Sequence, residues 1–137
     1  MIVVDSSAFI EYYRPSGNPE VRKLIAQEIA NDLVAVNGII RVELGAFAAS
    51  QKEFDRLTAD FSAFHWLELE QEDFLMASQL GFNLRRIGLT VPPTDLIIAA
   101  STIRADATLY HLDAHFEDIA RHSNLSTVDL RSVTSEE

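Results

Sequence analysis

Short apolar runs alternating with helix-length amphipathic stretches constrain this chain more than any other feature. Ile2-Val3-Val4, Leu33 to Val36, Trp66 to Leu69, Thr108 to Leu112 and Thr127 to Leu130 are too short for helices, and several are rich in β-branched residues. Helical patterns fill the intervals. Ser6 or Ser7 can cap a helix running to Tyr13, which Pro15-Ser16-Gly17-Asn18 breaks. Pro19 to Asn31 carries Val21, Leu24, Ile25 and Ile29 at helical spacing, and Asn37 or Gly38 opens a helix to about Ala49. Phe54, Leu57, Phe61 and Phe64 mark a further amphipathic stretch, and Phe74 to Ile87 a long helix ending near Gly88. After the stop at Pro92-Pro93, Thr94 is placed to cap a helix from Asp95 to Arg104, and Ala114 to Arg121 reads as another. Strands separated in this way pair in parallel through crossovers, so the expected fold is α/β, with helices on both faces of a central sheet.

Four acids interrupt apolar settings: Asp5 after Ile2-Val3-Val4, Glu43 within Ile39-Ile40-Arg41-Val42-Glu43-Leu44, Asp95 before Leu96-Ile97-Ile98-Ala99-Ala100, and Asp113 after Leu109-Tyr110-His111-Leu112. A carboxylate in such company is costly unless it is paired or bound to a metal. Cations are few and mostly lie elsewhere, so the acids are expected to partner one another through a hard divalent cation, which points to magnesium or manganese chemistry on phosphate. Asp5 and Asp113 fall at the carboxyl ends of strands, where ligands gather in parallel sheets.

A plainer reading is that each acid caps or borders a helix. It fits Asp5 poorly, because Ser6 and Ser7 are available as caps. Glu43 has only Arg41 as an ionisable neighbour between Ile39 and Ala49, and residues two apart on a helix do not face each other. Asp95 in a first helical turn is favoured by the helix dipole whatever else it does.

In order and spacing the four acids resemble the PIN-domain family of metal-dependent ribonucleases, in particular the VapC-type toxins of bacterial toxin-antitoxin pairs. The resemblance rests on Met1-Ile2-Val3-Val4-Asp5-Ser6-Ser7-Ala8-Phe9-Ile10, Arg41-Val42-Glu43-Leu44, Thr94-Asp95-Leu96-Ile97-Ile98-Ala99-Ala100-Ser101 and Leu112-Asp113-Ala114-His115-Phe116, and covers nearly the whole chain. It implies a three-layer α/β/α sandwich with a central, mainly parallel five-stranded sheet. It implies that Asp5, Glu43, Asp95 and Asp113 hold one or two magnesium ions, with manganese as the alternative, and that Glu43 or Asp95 orients or deprotonates the attacking water. Ser6 matches a hydroxyl position that the family uses to hold a ligand or substrate, with a helix cap as its ordinary role. The implied activity is cleavage of cellular RNA of the tRNA or rRNA class.

Length and composition suit that fold. The 137 residues, 47% hydrophobic, fit one domain, expected over residues 1–131 and followed by a frayed polar tail at Ser132 to Glu137. Cysteine is absent, which excludes disulfides and thiolate metal sites. The chain opens on a strand-like run and carries no membrane-length apolar stretch, so a cytoplasmic protein is expected. A net charge of -10 argues against tight nonspecific RNA binding, although the four acids account for part of it and bound cations would neutralise them. Arg14, Arg22, Arg85, Arg86 and Arg104 are the candidate phosphate contacts, with Arg85 and Arg86 foremost; a solvated helix face is the alternative for each.

The chain departs from the family pattern at two places. His111 stands where the family often has Thr or Ser, and His115 where it often has a further acid. If His111, Asp113 and His115 share a face they would form a softer metal site, while packed or solvated imidazoles are the alternative.

Other functions remain in view. A haloacid-dehalogenase-like phosphatase wants an acid where Ser7 stands, and a receiver domain wants a late lysine, yet the only lysines are Lys23 and Lys52. A catalytically silent PIN scaffold and a PIN nuclease of general RNA processing share the fold. The resemblance further implies a homodimer and a VapB-like antitoxin, in a heterotetramer or larger assembly. The antitoxin's apolar helix would lie against faces such as Phe9, Phe47 and Phe54 while an arginine pairs with the acids.

Overall fold

The computed structural model describes residues 1–134. Strands β1 (Ile2–Val4), β2 (Val34–Val36), β3 (His65–Trp66), β4 (Thr108–His111) and β5 (Ser126–Asp129) form one sheet in the order β3-β2-β1-β4-β5. All four pairings are parallel, as the helical crossovers require. The helices are α1 (Ser6–Tyr13), α2 (Pro19–Ala30), α3 (Gly38–Phe47), α4 (Gln51–Ala63), α5 (Gln71–Arg86), α6 (Pro93–Arg104), α7 (Ala114–Arg121) and α8 (Arg131–Thr134). Among the described residues no helix is long and apolar enough to cross a membrane.

β1 and β2 are buried along their whole length, which is why their sequences are uniformly apolar rather than alternating. The chain steps outward from β1 to β2 and β3, then returns past β1 to lay down β4 and β5. With right-handed crossovers this order sends the first connections over one face of the sheet and the later ones over the other. β1 and β4 therefore flank the point where strand order reverses, which in parallel sheets is the position of the crevice beyond the carboxyl ends of the strands. Asp5 and Asp113 emerge at that crevice.

α5 and α6 pack antiparallel on the later side. Their separation is set at Gly81, where an added Cβ would come within 2.8 Å of Leu96 Cδ1, beside Asp95. At the far end the fully buried Asp73 takes Arg104 Nε at 2.6 Å and Arg104 Nη2 at 3.1 Å, and its Oδ2 also accepts the Glu70 N–H at 2.8 Å. That bond lets α5 begin at Gln71, earlier than the expected Phe74.

Several expected boundaries shift. The third strand covers His65 and Trp66 only, although the Leu67 N–H still donates to the Val36 carbonyl at 2.8 Å; Leu69 lies outside it. Thr94 does not cap α6: the helix starts at Pro93, whose fixed φ suits a first helical position, with Pro92 before it. Residues 131–134, which include the start of the expected frayed tail, form a helical turn, with the Val133 N–H on the carbonyl of the fully buried Leu130. Residues 135–137 lie outside the described residues.

Candidate metal centre

Asp5 follows β1 and is 3% exposed. Contrary to the sequence expectation, it is itself the cap of α1: its Oδ2 accepts the Ser7 N–H at 3.0 Å and the Ser7 hydroxyl at 2.6 Å. The other oxygen, Oδ1, is buried without a hydrogen-bond partner among the described residues. One carboxylate thus caps a helix with one oxygen and keeps the second out of that cap. Ser7, which sequence reasoning passed over, also accepts the Leu112 N–H at 3.0 Å and ties the end of β1 to the loop that carries Asp113.

Glu43 is delivered by α3. That helix is capped by Asn37, fully buried, whose Oδ1 accepts the Ile40 N–H at 3.0 Å while Nδ2 donates to Ser101 Oγ of α6 at 3.3 Å. An asparagine immediately before a helix is a cap signal, but its bond to Ser101 could not be read from the sequence. Ser6 Oγ donates to Glu43 Oε1 at 3.0 Å, so α1 and α3 are joined at the site. Asp95 lies in the first turn of α6 at 8% exposure, and Asp113 caps α7 by accepting the His115 N–H at 2.9 Å.

The four acids meet. Burial pushes Asp5 and Glu43 above the ordinary carboxylate range against opposing hydrogen bonds, chiefly from Ser7 to Asp5 and from Ser6 to Glu43; Asp113 adds a smaller upward push to both, and Asp5 to Glu43. Burial, then Asp113, then Asp5 lift Asp95 to about 6, against an opposing hydrogen bond from His115. Mutual repulsion of this kind, with one buried oxygen lacking a donor, fits a site built to receive a divalent cation.

The two histidines part company. His111 is fully buried: its Nδ1 accepts the Asp113 N–H at 3.1 Å, which puts the ring proton on Nε2, 2.7 Å from Glu117 Oε2. Glu117 also accepts the Thr127 hydroxyl at 2.7 Å, so His111 belongs to an internal network, and the expected shared face with His115 does not form. His115 instead turns to the acids, with Nδ1 3.2 Å from Asp95 Oδ2 and 3.2 Å from Asp113 Oδ1.

The arginines divide as well. Arg85 and Arg86 are exposed in the last turn of α5, the end nearest the start of α6, and Arg86 lies over the Phe82 ring at 5.4 Å. Arg104 is committed to Asp73 at the opposite end of α6. Arg14 faces Glu11 at 3.8 Å and Arg22 donates to the Pro15 carbonyl at 3.2 Å, both beyond the end of α1 remote from Asp5.

Residues 2–122 match the PIN domain family. The chain belongs to that family. Ribonuclease VapC11 of Mycobacterium tuberculosis is 34% identical over 136 residues, covering 96% of this chain and all of that protein, which places the chain in the VapC branch of the PIN family. Among solved structures, FitAcB from Neisseria gonorrhoeae superposes with a TM-score of 0.77 at 20% identity, over 94% of this chain and 97% of its own. VapBC-5 from Mycobacterium tuberculosis, a member of the VapBC family of toxin-antitoxin systems, gives a TM-score of 0.63 at 20% identity, over 93% and 96%. The five-stranded parallel sheet is the PIN architecture expected from the acid pattern.

Proposed function

We propose that this PIN-domain protein is a divalent-metal-dependent endoribonuclease toxin that cleaves cellular RNA of the tRNA or rRNA class and is neutralised by a VapB-like antitoxin. The observation that carries the reading is the convergence of Asp5, Glu43, Asp95 and Asp113 at one crevice, with Asp5 Oδ1 buried and without a partner among the described residues. The ribonuclease class follows from VapC11. These four acids would hold one or two ions, magnesium or manganese. A bound ion would neutralise the carboxylates, make a coordinated water more acidic and draw in the scissile phosphate.

The chain's own residues do the rest. Ser7 fixes the Asp5 carboxylate by its Oδ2 and Ser6 holds Glu43 by its Oε1, so both acids are held in one orientation and would be ready to ligate an ion. Ser6 therefore acts by orienting an acid, in addition to any contact with substrate. Glu43 and Asp95, both pushed toward neutrality by burial, are suited to take the proton of the attacking water. Arg85 and Arg86 sit at the crevice end of α5 and would receive phosphates of the RNA strand.

Phe9 is fully buried against Tyr13, Phe61 and Phe64 and cannot receive an antitoxin. A groove of about 300 Å³ lined by Ile10, Tyr13, Leu44, Phe47 and Leu57, with Arg14, Glu53 and Arg56 at its polar positions, takes that role instead. A homodimer, in a heterotetramer or larger assembly with antitoxin, a single domain over residues 1–131 and a cytoplasmic location complete the proposal. The test is cleavage of loop-containing RNA by purified protein with magnesium or manganese. Activity should vanish on exhaustive chelation and return with the ion; cleavage that survives chelation overturns the proposal.

A further inference from the structure

His115, at the place where the family resemblance leads one to expect a further acid, lies beside the proposed metal centre, and a ligand role for it deepens that reading and rests on it. It occupies the first turn of α7, where its backbone N–H donates to Asp113 Oδ1 at 2.9 Å. Its ring is 40% exposed, and Nδ1 stands 3.2 Å from an oxygen of Asp95, to which it hydrogen-bonds, and 3.2 Å from an oxygen of Asp113; ligation through Nδ1 replaces that hydrogen bond and places the ring proton on Nε2. Asp95, Asp113 and His115 each offer one donor atom, all within 4.8 Å of one another. Neighbouring ligands around an octahedral cation with bonds of about 2.1 Å are about 3.0 Å apart, close to the 3.2 Å that separates Nδ1 from each acid oxygen.

A second feature points to the same place. Asp5 is 3% exposed, its Oδ1 has no hydrogen-bond partner among the described residues, and its carboxylate interacts electrostatically with both Asp95 and Asp113. Three carboxylates and an imidazole thus surround the crevice. His111 offers no competing nitrogen, because both of its ring nitrogens are engaged in the internal network.

We propose that His115 is a metal ligand through Nδ1, making this a mixed nitrogen and oxygen centre that prefers manganese over magnesium. Magnesium holds its water and oxygen ligands tightly and gains little from imidazole, whereas manganese lies on the series of ions for which nitrogen ligation strengthens binding. A neutral imidazole also brings no negative charge to the set, so it gives less electrostatic hold on magnesium than a further carboxylate would.

Pulsed EPR of the full chain loaded with Mn2+ reads nitrogen coupling from a directly bound imidazole, and calorimetry reads the affinities for Mn2+ and Mg2+. Wild-type protein should show the coupling. His115→Ala should lose it, with Mn2+ affinity falling about tenfold or more and Mg2+ affinity changing less than about threefold. His115→Asp, which supplies an oxygen in place of the nitrogen, should bind both ions without the coupling and with a narrower preference between them. Mn2+ bound to wild type without nitrogen coupling, coupling that survives in His115→Ala, or equal losses for both ions would remove His115 from the ion while leaving the acidic centre in place. Failure of wild type to bind either ion would overturn the metal centre, and His115 with it.

Discussion

The Ser6 hydroxyl donates to Glu43 Oε1 across 3.0 Å, so the helix that begins beside the first acid of the crevice holds the second. Removing that hydroxyl should let the Glu43 side chain swing while leaving both helices intact. Ser6→Ala is expected to lower kcat about 10- to 100-fold, with a stability loss of only about 1 kcal/mol. Ser6→Thr should recover much of the rate. A rise in KM alone in Ser6→Ala would mean that the hydroxyl serves the substrate and not Glu43.

Asp5 carries two tasks on two oxygens, and substitutions can separate them. Asparagine keeps a cap acceptor for the Ser7 N–H and removes the charge, so Asp5→Asn should abolish cleavage with metal-free stability equal to or above wild type. Asp5→Ala loses the cap as well and should cost about 1 kcal/mol. Chemical denaturation of both variants in chelator checks the contrast; equal destabilisation would make the charge a structural requirement.

Asp95 titrates at about 6 because it is buried beside Asp113 and Asp5. A carboxyl raised above its unfolded value of 3.8 binds its proton more tightly in the folded chain, so the stability it contributes is present at low pH and is lost as pH rises through about 6. Metal-free protein should lose about 1 to 2 kcal/mol from this group between about pH 4 and about pH 6.5, after allowance for solvent screening. Thermal melts in chelator should show that slope in wild type and a flatter one in Asp95→Asn. Identical slopes would remove Asp95 as the source.

Elements decided by local pattern are legible in the chain itself. Ile2–Val4 as a buried strand and Ala114–Arg121 as a helix follow from apolar runs and periodicity, and the acid order leads to the sheet by resemblance. Expectation and structure diverge where a side chain's direction depends on what packs against it. His111 and His115 look alike in sequence, but His111 ends a strand and turns into the core while His115 opens a helix at the crevice. Phe9 reads as a docking surface until α4 brings Phe61 against it. Nearby serines argue against Asp5 as a cap, yet a carboxylate has two oxygens and can do both jobs.

Arg104, a candidate for phosphate on charge alone, is tied to the fully buried Asp73. Arg104→Ala leaves that carboxylate with the Glu70 N–H but without its guanidinium partner and should cost about 3 kcal/mol in stability. Cleavage per folded molecule should be unchanged, whereas Arg85→Ala with Arg86→Ala should weaken RNA binding and its salt dependence with little effect on folding. An Arg104→Ala variant that folds normally and binds RNA poorly would reverse these assignments.

If the acids of the crevice act on RNA through the divalent cation they hold, ion binding and catalysis cannot be separated. The most direct measurement determines Mn2+ binding and RNA cleavage on the same preparations of wild type, Asp5→Asn and Asp95→Asn, each shown to be folded. Ion binding and cleavage should fall together in both variants. A folded variant that has lost the ion and still cleaves at the wild-type rate would contradict the proposed role of the acids.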